Sequence, residues 1–187
     1  MSGIVGSRFN IRGSGLVGSL GTDGQVFTSS GAGAGAIFET AAGGSNTPAF
    51  FASISSNFVV ANGTSVKLGF DQEEFDSDGT YDNTTNYRFT PGVAGKYYIF
   101  AQLYLNSMTD TDQRLLKIYK NGSSMHNARN NAGAGDHLSV FSAIIDTASD
   151  SDYYEAYGYH DEGNDLNASG SSGERRSLFG AYKIIGA

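Results

Sequence analysis

Carboxylates crowd the stretch from Asp71 to Asp82, where Glu74, Asp76, Asp78 and Asp82 stand around Gly79 with the spacing of part of a calcium loop. Calcium is a hard cation that gathers about six to eight oxygens, so acidic side chains alternating with small residues and a turn glycine are the pattern it selects. The loop is incomplete, because an EF-hand sequence needs a bidentate Glu at its last ligand position and counting from Glu74 puts Thr85 there. What remains is a looser calcium site from Asp76, Asp78 and Asp82, or from Asp146, Asp150 and Asp152, against the simpler reading of solvated acidic turns.

Enzymatic chemistry finds less support. The chain has no Cys, which removes thiolate nucleophiles, thiolate metal sites and disulfides together. Its three His residues, His126, His137 and His160, stand too far apart for a two-ligand metal motif, and no Gly-x-Ser-x-Gly elbow occurs. Asp161 with Glu162, or Asp71 with Glu73 or Glu74, lies in polar surroundings, whereas a glycosidase pair needs one desolvated member. Gly13-Ser14-Gly15-Leu16-Val17-Gly18 spells a dinucleotide fingerprint, but the glycine-rich residues after it cannot build the helix that would receive a pyrophosphate. The expectation is a protein that is not an enzyme and uses no cofactor.

Charge narrows the partners. The 187 residues carry a net charge of −7, and their 12 basic residues are scattered singly or in one pair, which gives no phosphate-binding surface. Nucleic acid is excluded on that ground. No apolar run approaches the roughly 20 residues that cross a bilayer, so no membrane insertion is expected. The opening residues, Met1 to Arg8, lack the basic-then-apolar layout of a signal peptide, so synthesis in a cytoplasm without export by that route is expected. Asn62, Asn83, Asn121 and Asn167 each begin an Asn-x-Ser/Thr triplet and read most simply as turn residues.

The elements that must position these residues fall into two regions. Residues 1–45 hold 12 of the 26 Gly and only Arg8, Arg12, Asp23 and Glu39 as charges, with apolar side chains too sparse for a core of their own. The segment is nearly neutral and keeps three Phe, unlike a charged disordered tail, and so reads as an adhesive stretch that orders on contact with a partner. Phe9, Ile11, Leu16, Val26, Phe27 and Phe38 are its candidate contact residues. From residue 46 the pattern changes to short β-forming runs between turn residues, the sign of an all-β antiparallel sandwich. Eight strands are predicted, at 49–55, 65–75 (with a kink), 87–90, 96–106, 114–120, 137–147, 153–160 and 177–185. In 96–106 the residues Tyr97, Ile99, Ala101, Leu103 and Leu105 share one face, while Tyr98, Phe100, Gln102 and Tyr104 share the other. A second aromatic face points to burial against another subunit, with Tyr98, Phe100, Tyr104, Tyr154, Tyr157 and Tyr159 as the candidate interface.

Tyr81-Asp82-Asn83-Thr84-Thr85-Asn86-Tyr87-Arg88-Phe89-Thr90-Pro91, followed by Gly95-Lys96-Tyr97-Tyr98-Ile99-Phe100, resembles the signature of the C1q/tumour necrosis factor superfamily. Pro48-Ala49-Phe50-Phe51-Ala52, the Lys120-Asn121-Gly122 turn and the closing Ser177-Leu178-Phe179-Gly180-Ala181-Tyr182 extend the likeness over about residues 48–187. Ile99, where the family usually has Phe, and the acidic residues with Ser at 149–152, where it commonly has a Gly-Asp or Gly-Glu turn, depart from it. The resemblance implies a jelly roll, a homotrimer about a threefold axis, and binding without catalysis. Further back, the run Gly21-Thr22-Asp23-Gly24-Gln25-Val26-Phe27-Thr28-Ser29-Ser30-Gly31 resembles a short motif of bacteriophage tail fibres and related virion appendages, with Phe27 for the usual Leu.

Together these imply a virion structural protein on the particle's exterior, with residues 1–45 as attachment segment and 46–187 as an outward head. A capsid decoration or head-fibre protein, and a secreted C1q-like binding protein, are the alternatives. With eight strands alternating in direction, two long connections are expected at the end away from the attachment segment, at 121–136 and 160–176. Their polar residues His126, Asn127, Arg129 and Asn130, then Asp161, Glu162, Asn164 and Asp165, are the candidate contacts to a host surface glycan or protein.

Overall fold

The computed structural model describes residues 25–29, 36–40, 45–107, 112–131, 137–171 and 173–186. The chain divides between Gly44 and Ser45 into two units. In the first, β1 (Gln25–Ser29) and β2 (Ala36–Thr40) pair antiparallel with Phe27 opposite Phe38. Their rings lie 5.1 Å apart, and the Thr28 hydroxyl donates to Glu39 Oε2 at 2.8 Å. The segment read as an adhesive stretch that orders on contact thus contains a hairpin. Aromatic cross-strand pairing stabilises such a ribbon without a core.

The second unit is a two-layer β-sandwich. One sheet takes β5 (Val66–Lys67), β7 (Tyr81–Asp82), β8 (Arg88–Phe89), β10 (Gln113–Lys120), β11 (Ser123–Asn131) and β13 (Tyr154–His160), in the order β11-β10-β13-β8-β7 with β5 also on β13. The other takes β3 (Ala49–Ser53), β4 (Phe58–Val60), β6 (Gln72–Asp76), β9 (Gly95–Asn106), β12 (His137–Ala148), β14 (Leu166–Ala168) and β15 (Leu178–Lys183). β9 is its spine. β12 pairs with one side of β9 along its whole length, and the other side carries β15 from Tyr97 to Gln102 and then β14 at Leu105. β3 and β6 follow beyond β15. All pairings are antiparallel, and among the described residues there is no helix.

The alternation read in β9 is the one the fold uses, since Tyr97, Ile99, Ala101, Leu103 and Leu105 are all fully buried between the sheets. They meet Leu116 and Ile118 of β10, Tyr154 and Ala156 of β13, and an aromatic cluster around Phe50. Phe50 stacks on Tyr81 at 4.4 Å and on Phe89 at 4.7 Å, with Phe179 edge-on at 5.0 Å. The kink expected in 65–75 is a change of sheet: β5 lies in one layer and β6 in the other, with Leu68 and Phe70 buried between them.

In the second unit four strands were not anticipated, namely β4, β7, β11 and β14, and they alter which connections share an end. Register puts Ala49, the Asn121–Gly122 turn, residues 149–153 and Lys183 at the end where the second unit begins. Residues 54–57, 107, 112, 131, 161–165 and 169–177 lie at the far end. The connection after β9 is thus at the far end, not at the base as single alternation of eight strands requires. β7, which precedes the anticipated β8, adds one pass and reverses the count.

Candidate functional site

The candidate calcium residues Asp76, Asp78 and Asp82 shape turns. Asp82 Oδ1 accepts from the backbone N–H groups of Thr84 and Thr85 at 3.1 and 2.9 Å, and Oδ2 from the side-chain amide of Asn86 at 2.7 Å. Asp76 accepts from the N–H groups of Asp78 and Tyr81, and Asp78 accepts from the Ser77 hydroxyl at 2.7 Å. These donors occupy the oxygens a cation would need, and among the described residues no group of three His, Asp or Glu is placed to hold a metal. At the base, Lys120 Nζ bridges Asp146 at 2.8 Å and Asp152 at 3.0 Å, so the second acidic set is held by a cation of the protein itself. Asn121 Nδ2 donates to Asp152 at 2.8 Å, and Asn121 and Gly122 both take positive φ, as a tight two-residue hairpin requires.

The backbone N–H groups of Thr85 and Thr84 hold the Asp82 carboxyl well below the usual carboxylate range, and the Asn121 amide, with Ser149 and Lys120, does the same for Asp152. A depressed carboxyl contributes stability above its unfolded value, about 3.9, and loses that contribution as pH falls toward the folded value. Urea midpoints are therefore expected to stay level from pH 7 to pH 5 and to drop below about pH 4. Asp82→Asn, measured over the same pH series, is expected to reduce that slope; an unchanged slope would place the acid sensitivity elsewhere.

The six candidate interface residues do not share a surface. Tyr98, Phe100 and Tyr104 lie on the outer face of the larger sheet. Tyr154 points the other way: it is fully buried in the core, and its hydroxyl donates to Asp146 Oδ2 at 2.6 Å. It has no surface to offer a second subunit. Tyr157 and Tyr159 sit on the outer face of the smaller sheet, where Tyr157 stacks on Tyr119 at 4.1 Å and Lys117 Nζ lies 5.4 Å from the centre of the Tyr159 ring. Burial, with the charge of Glu155 beside it, pushes the Tyr157 hydroxyl up to about 12.

The larger sheet carries a continuous apolar face that extends well beyond the residues expected. Phe51 lies 6.4 Å from Phe75 and 6.2 Å from Phe100; Phe100 lies 6.5 Å from Phe141; Tyr98 lies 5.4 Å from Tyr182. Ile145 stands opposite Tyr98 and is 63% exposed, while Phe75 and Phe141 are more than half exposed. Gly180 makes room for it, because a Cβ there would stand 2.5 Å from Phe100 Cζ. Five strands contribute, so only the sheet order assembles the face. Alternation within 137–147 could have named Phe141 and Ile145 from the sequence.

The polar candidates divide as well. His126, Asn127, Arg129 and Asn130 belong to β11, an edge strand, and not to a loop. Asn127 and Arg129 are exposed, while His126 and Asn130 turn toward the core side of the sheet. In the connection after β13, Asp161 accepts from the Gln113 N–H at 2.6 Å and Asp165 from the Asn62 N–H at 2.9 Å. Both are occupied in holding the far end together. Asn164 stays exposed beside them, and Glu162 is half-buried.

The sandwich superposes on known structures. A tumour necrosis factor, Eiger, from S. frugiperda superposes with a TM-score of 0.52 at 14% identity, covering 74% of this chain and 93% of that one. The fold is the C1q/TNF-type jelly roll. The globular domain of zebrafish complement 1qA gives a TM-score of 0.52 at 16% identity, over 73% of this chain and 96% of that one. Murine APRIL gives 0.52 at 12% identity, over 73% and 98%. No family model and no curated protein sequence matches the chain. The jelly roll expected from the residues at 48–100 and 177–182 is thus the fold observed, while the N-terminal fibre-like motif has no counterpart in these comparisons. Phe9, Ile11 and Leu16 lie outside the described residues. Val26 and Phe27 are exposed on the hairpin, with Phe38 half-buried beside Phe27.

Proposed function

We propose that the chain is a non-enzymatic, homotrimeric binding head of a bacteriophage tail fibre or related appendage. Residues 1–45 attach it to other virion proteins, and the far end of the head meets a glycan or protein on the host surface. One observation carries the oligomeric part: the apolar face of Phe51, Phe75, Phe100, Phe141 and Ile145 is too large and too exposed for a lone protomer in water. A threefold assembly buries such a face by a head-to-tail contact, in which each copy presents it to a different surface of the next. Three copies of exposed Asn127, Arg129 and Asn164 then act together, so weak single contacts combine through effective concentration.

The virion placement rests on the fibre-like residues Gly21 to Gly31 and on the exposed Val26 and Phe27 of the hairpin. A capsid decoration protein uses the same parts, and labelled electron micrographs separate head from tail. The likeness to the S. frugiperda tumour necrosis factor and zebrafish complement 1qA favours a second reading, a free C1q-like binding protein. Light scattering is expected to give three times 19.7 kDa for the full chain. Deleting residues 1–45 is expected to leave a folded trimer that no longer associates with particles. A deletion that still decorates particles would move attachment to the head, and a full-length chain never found on particles would favour the second reading.

A further inference from the structure

The chain has two Pro residues, Pro48 and Pro91, and the fold brings them to one place. With Asp78, Thr80 and Val93 they line an open pocket of about 340 Å³. It lies at the base, where Pro48 precedes β3 and the Pro48 carbonyl accepts from the Lys183 N–H at 3.2 Å. The other walls are held as well. The Thr80 carbonyl accepts from the Thr90 N–H at 2.8 Å, and the Val93 carbonyl accepts from the hydroxyl of Tyr97, a fully buried core residue, at 2.7 Å. Each proline ring fixes its own φ, so little order remains to be gained when a ligand enters.

The pocket is rich in acceptors and poor in donors. Pro48 and Pro91 have no N–H, and the Thr80 hydroxyl gives its proton to Asp76 Oδ1 at 3.2 Å. Asp78 is exposed, its Oδ2 accepts from the Ser77 hydroxyl, and among the described residues no Lys or Arg forms an ion pair with it. Asp76 adds a second negative charge at the same wall. Burial, with the charge of Asp78 added, pushes the Tyr97 hydroxyl up, so that charge is felt on the Val93 side too. One open carboxylate oxygen is too few for a metal ion that gathers six or more, but it suits an N–H of an ammonium or guanidinium. We propose that this pocket receives a lysine or arginine side chain of a partner protein, its cation on Asp78 and its methylene stem along Pro48, Pro91 and Val93. Val93 is 47% exposed in the single chain, and such a stem covers it. The net charge of −7 draws a basic partner to the head. The occupant is a protein because the pocket begins at Thr47, next to the end of the attachment segment, and whatever that segment grips is held close by. That choice of partner rests on the role proposed for residues 1–45.

The test titrates the isotope-labelled full chain with N-acetyl-lysine N-methylamide and follows its backbone amides by NMR. Shifts are expected at Asp78, Thr80, Gly92 and Val93, with a dissociation constant of about 1 mM, the affinity that a probe of this size reaches. N-acetyl-norleucine N-methylamide keeps the stem and lacks the ammonium, and it is expected to bind about tenfold more weakly. The lysine probe is expected to lose about the same factor on Asp78→Asn. Glu174→Gln removes an equal charge from an exposed residue at the far end, and it is expected to leave the constant within about twofold. Equal binding of the two probes, undiminished binding by Asp78→Asn, or shifts confined to other residues would overturn the pocket. Should Asp78→Asn fail to fold, the comparison of the two probes on the unchanged chain decides. On particles, Asp78→Asn is expected to compete about tenfold less well than the unchanged chain for attachment, and equal competition overturns the partner protein as occupant. A chain that takes the lysine probe but is never found on particles overturns the attachment role and the partner with it, while the pocket stands as a site for a basic group.

Discussion

Replacing Gly170 by alanine is expected to destabilise the head by about 3 kcal/mol or more, the cost of forcing two backbones apart in a packed structure. A Cβ at Gly170 would stand 2.2 Å from the carbonyl oxygen of Ser56, 2.3 Å from its carbon and 2.6 Å from its nitrogen. All three are main-chain atoms, so no side-chain rotation relieves the overlap. The segment is also fixed on both sides, by Ser169 N–H donating to the Tyr104 carbonyl at 2.7 Å and Ser171 N–H donating to the Ile54 carbonyl at 3.1 Å. Moving Gly170 away therefore breaks the hydrogen bonds that close the far end. Gly173→Ala is the control, since its nearest neighbour would be 4.0 Å away, and it is expected to stay within about 0.5 kcal/mol of the unchanged chain. Urea unfolding of the two variants side by side measures the difference; midpoints that coincide would mean that the close approach of residues 56 and 170 is absent in solution.

Ile145→Arg is expected to convert the proposed trimer into a folded monomer. The side chain is 63% exposed in the single chain, so the substitution costs the protomer little, whereas in the assembly it removes an apolar contact and buries an unpaired charge. About 3 kcal/mol per contact raises the dissociation constant more than a hundredfold, enough to empty the trimer at micromolar concentration. Light scattering then falls from three times 19.7 kDa to a single 19.7 kDa while the circular dichroism of the sandwich is unchanged. Arg129→Glu, on exposed β11, is expected to leave the mass alone. An Ile145→Arg protein that remains trimeric would show that copies associate through another surface, such as the outer face of Tyr119 and Tyr157.

β9 was legible because its two-residue period is unbroken from Tyr97 to Leu105, and the Asn121–Gly122 turn because that dipeptide tolerates positive φ at both positions. β11 was not. Ser123 to Asn131 has Ala128 and Met125 as its only apolar side chains and reads as a polar loop, yet the tight turn delivers it in register to β10, where backbone pairing alone makes it a strand. The tyrosines of residues 153–159 misled for a different reason. Strand alternation sends Tyr154 inward and Tyr157 and Tyr159 outward, so grouping them by type combined a core residue with two surface ones. The apolar face was read only in the part lying on β9: alternation sets Phe141 and Ile145 on one face of β12, but only the sheet order brings them, with Phe51 and Phe75, beside Phe100.

The place of β15 has a consequence for how the head comes into being. It follows all the other strands of its sheet in the chain, yet it lies inside the larger sheet, with Phe51 on one side of Gly180 and Phe100 on the other. Until Leu178 to Lys183 leave the ribosome, β3 and β9 each present an unsatisfied edge of the kind that invites pairing with other chains. The larger sheet therefore closes only after translation has passed these residues, and its non-local pairing makes that closure slow. A nascent or truncated chain lacking β15 would hold two separated half-sheets, each ready to recruit the strand from a neighbour.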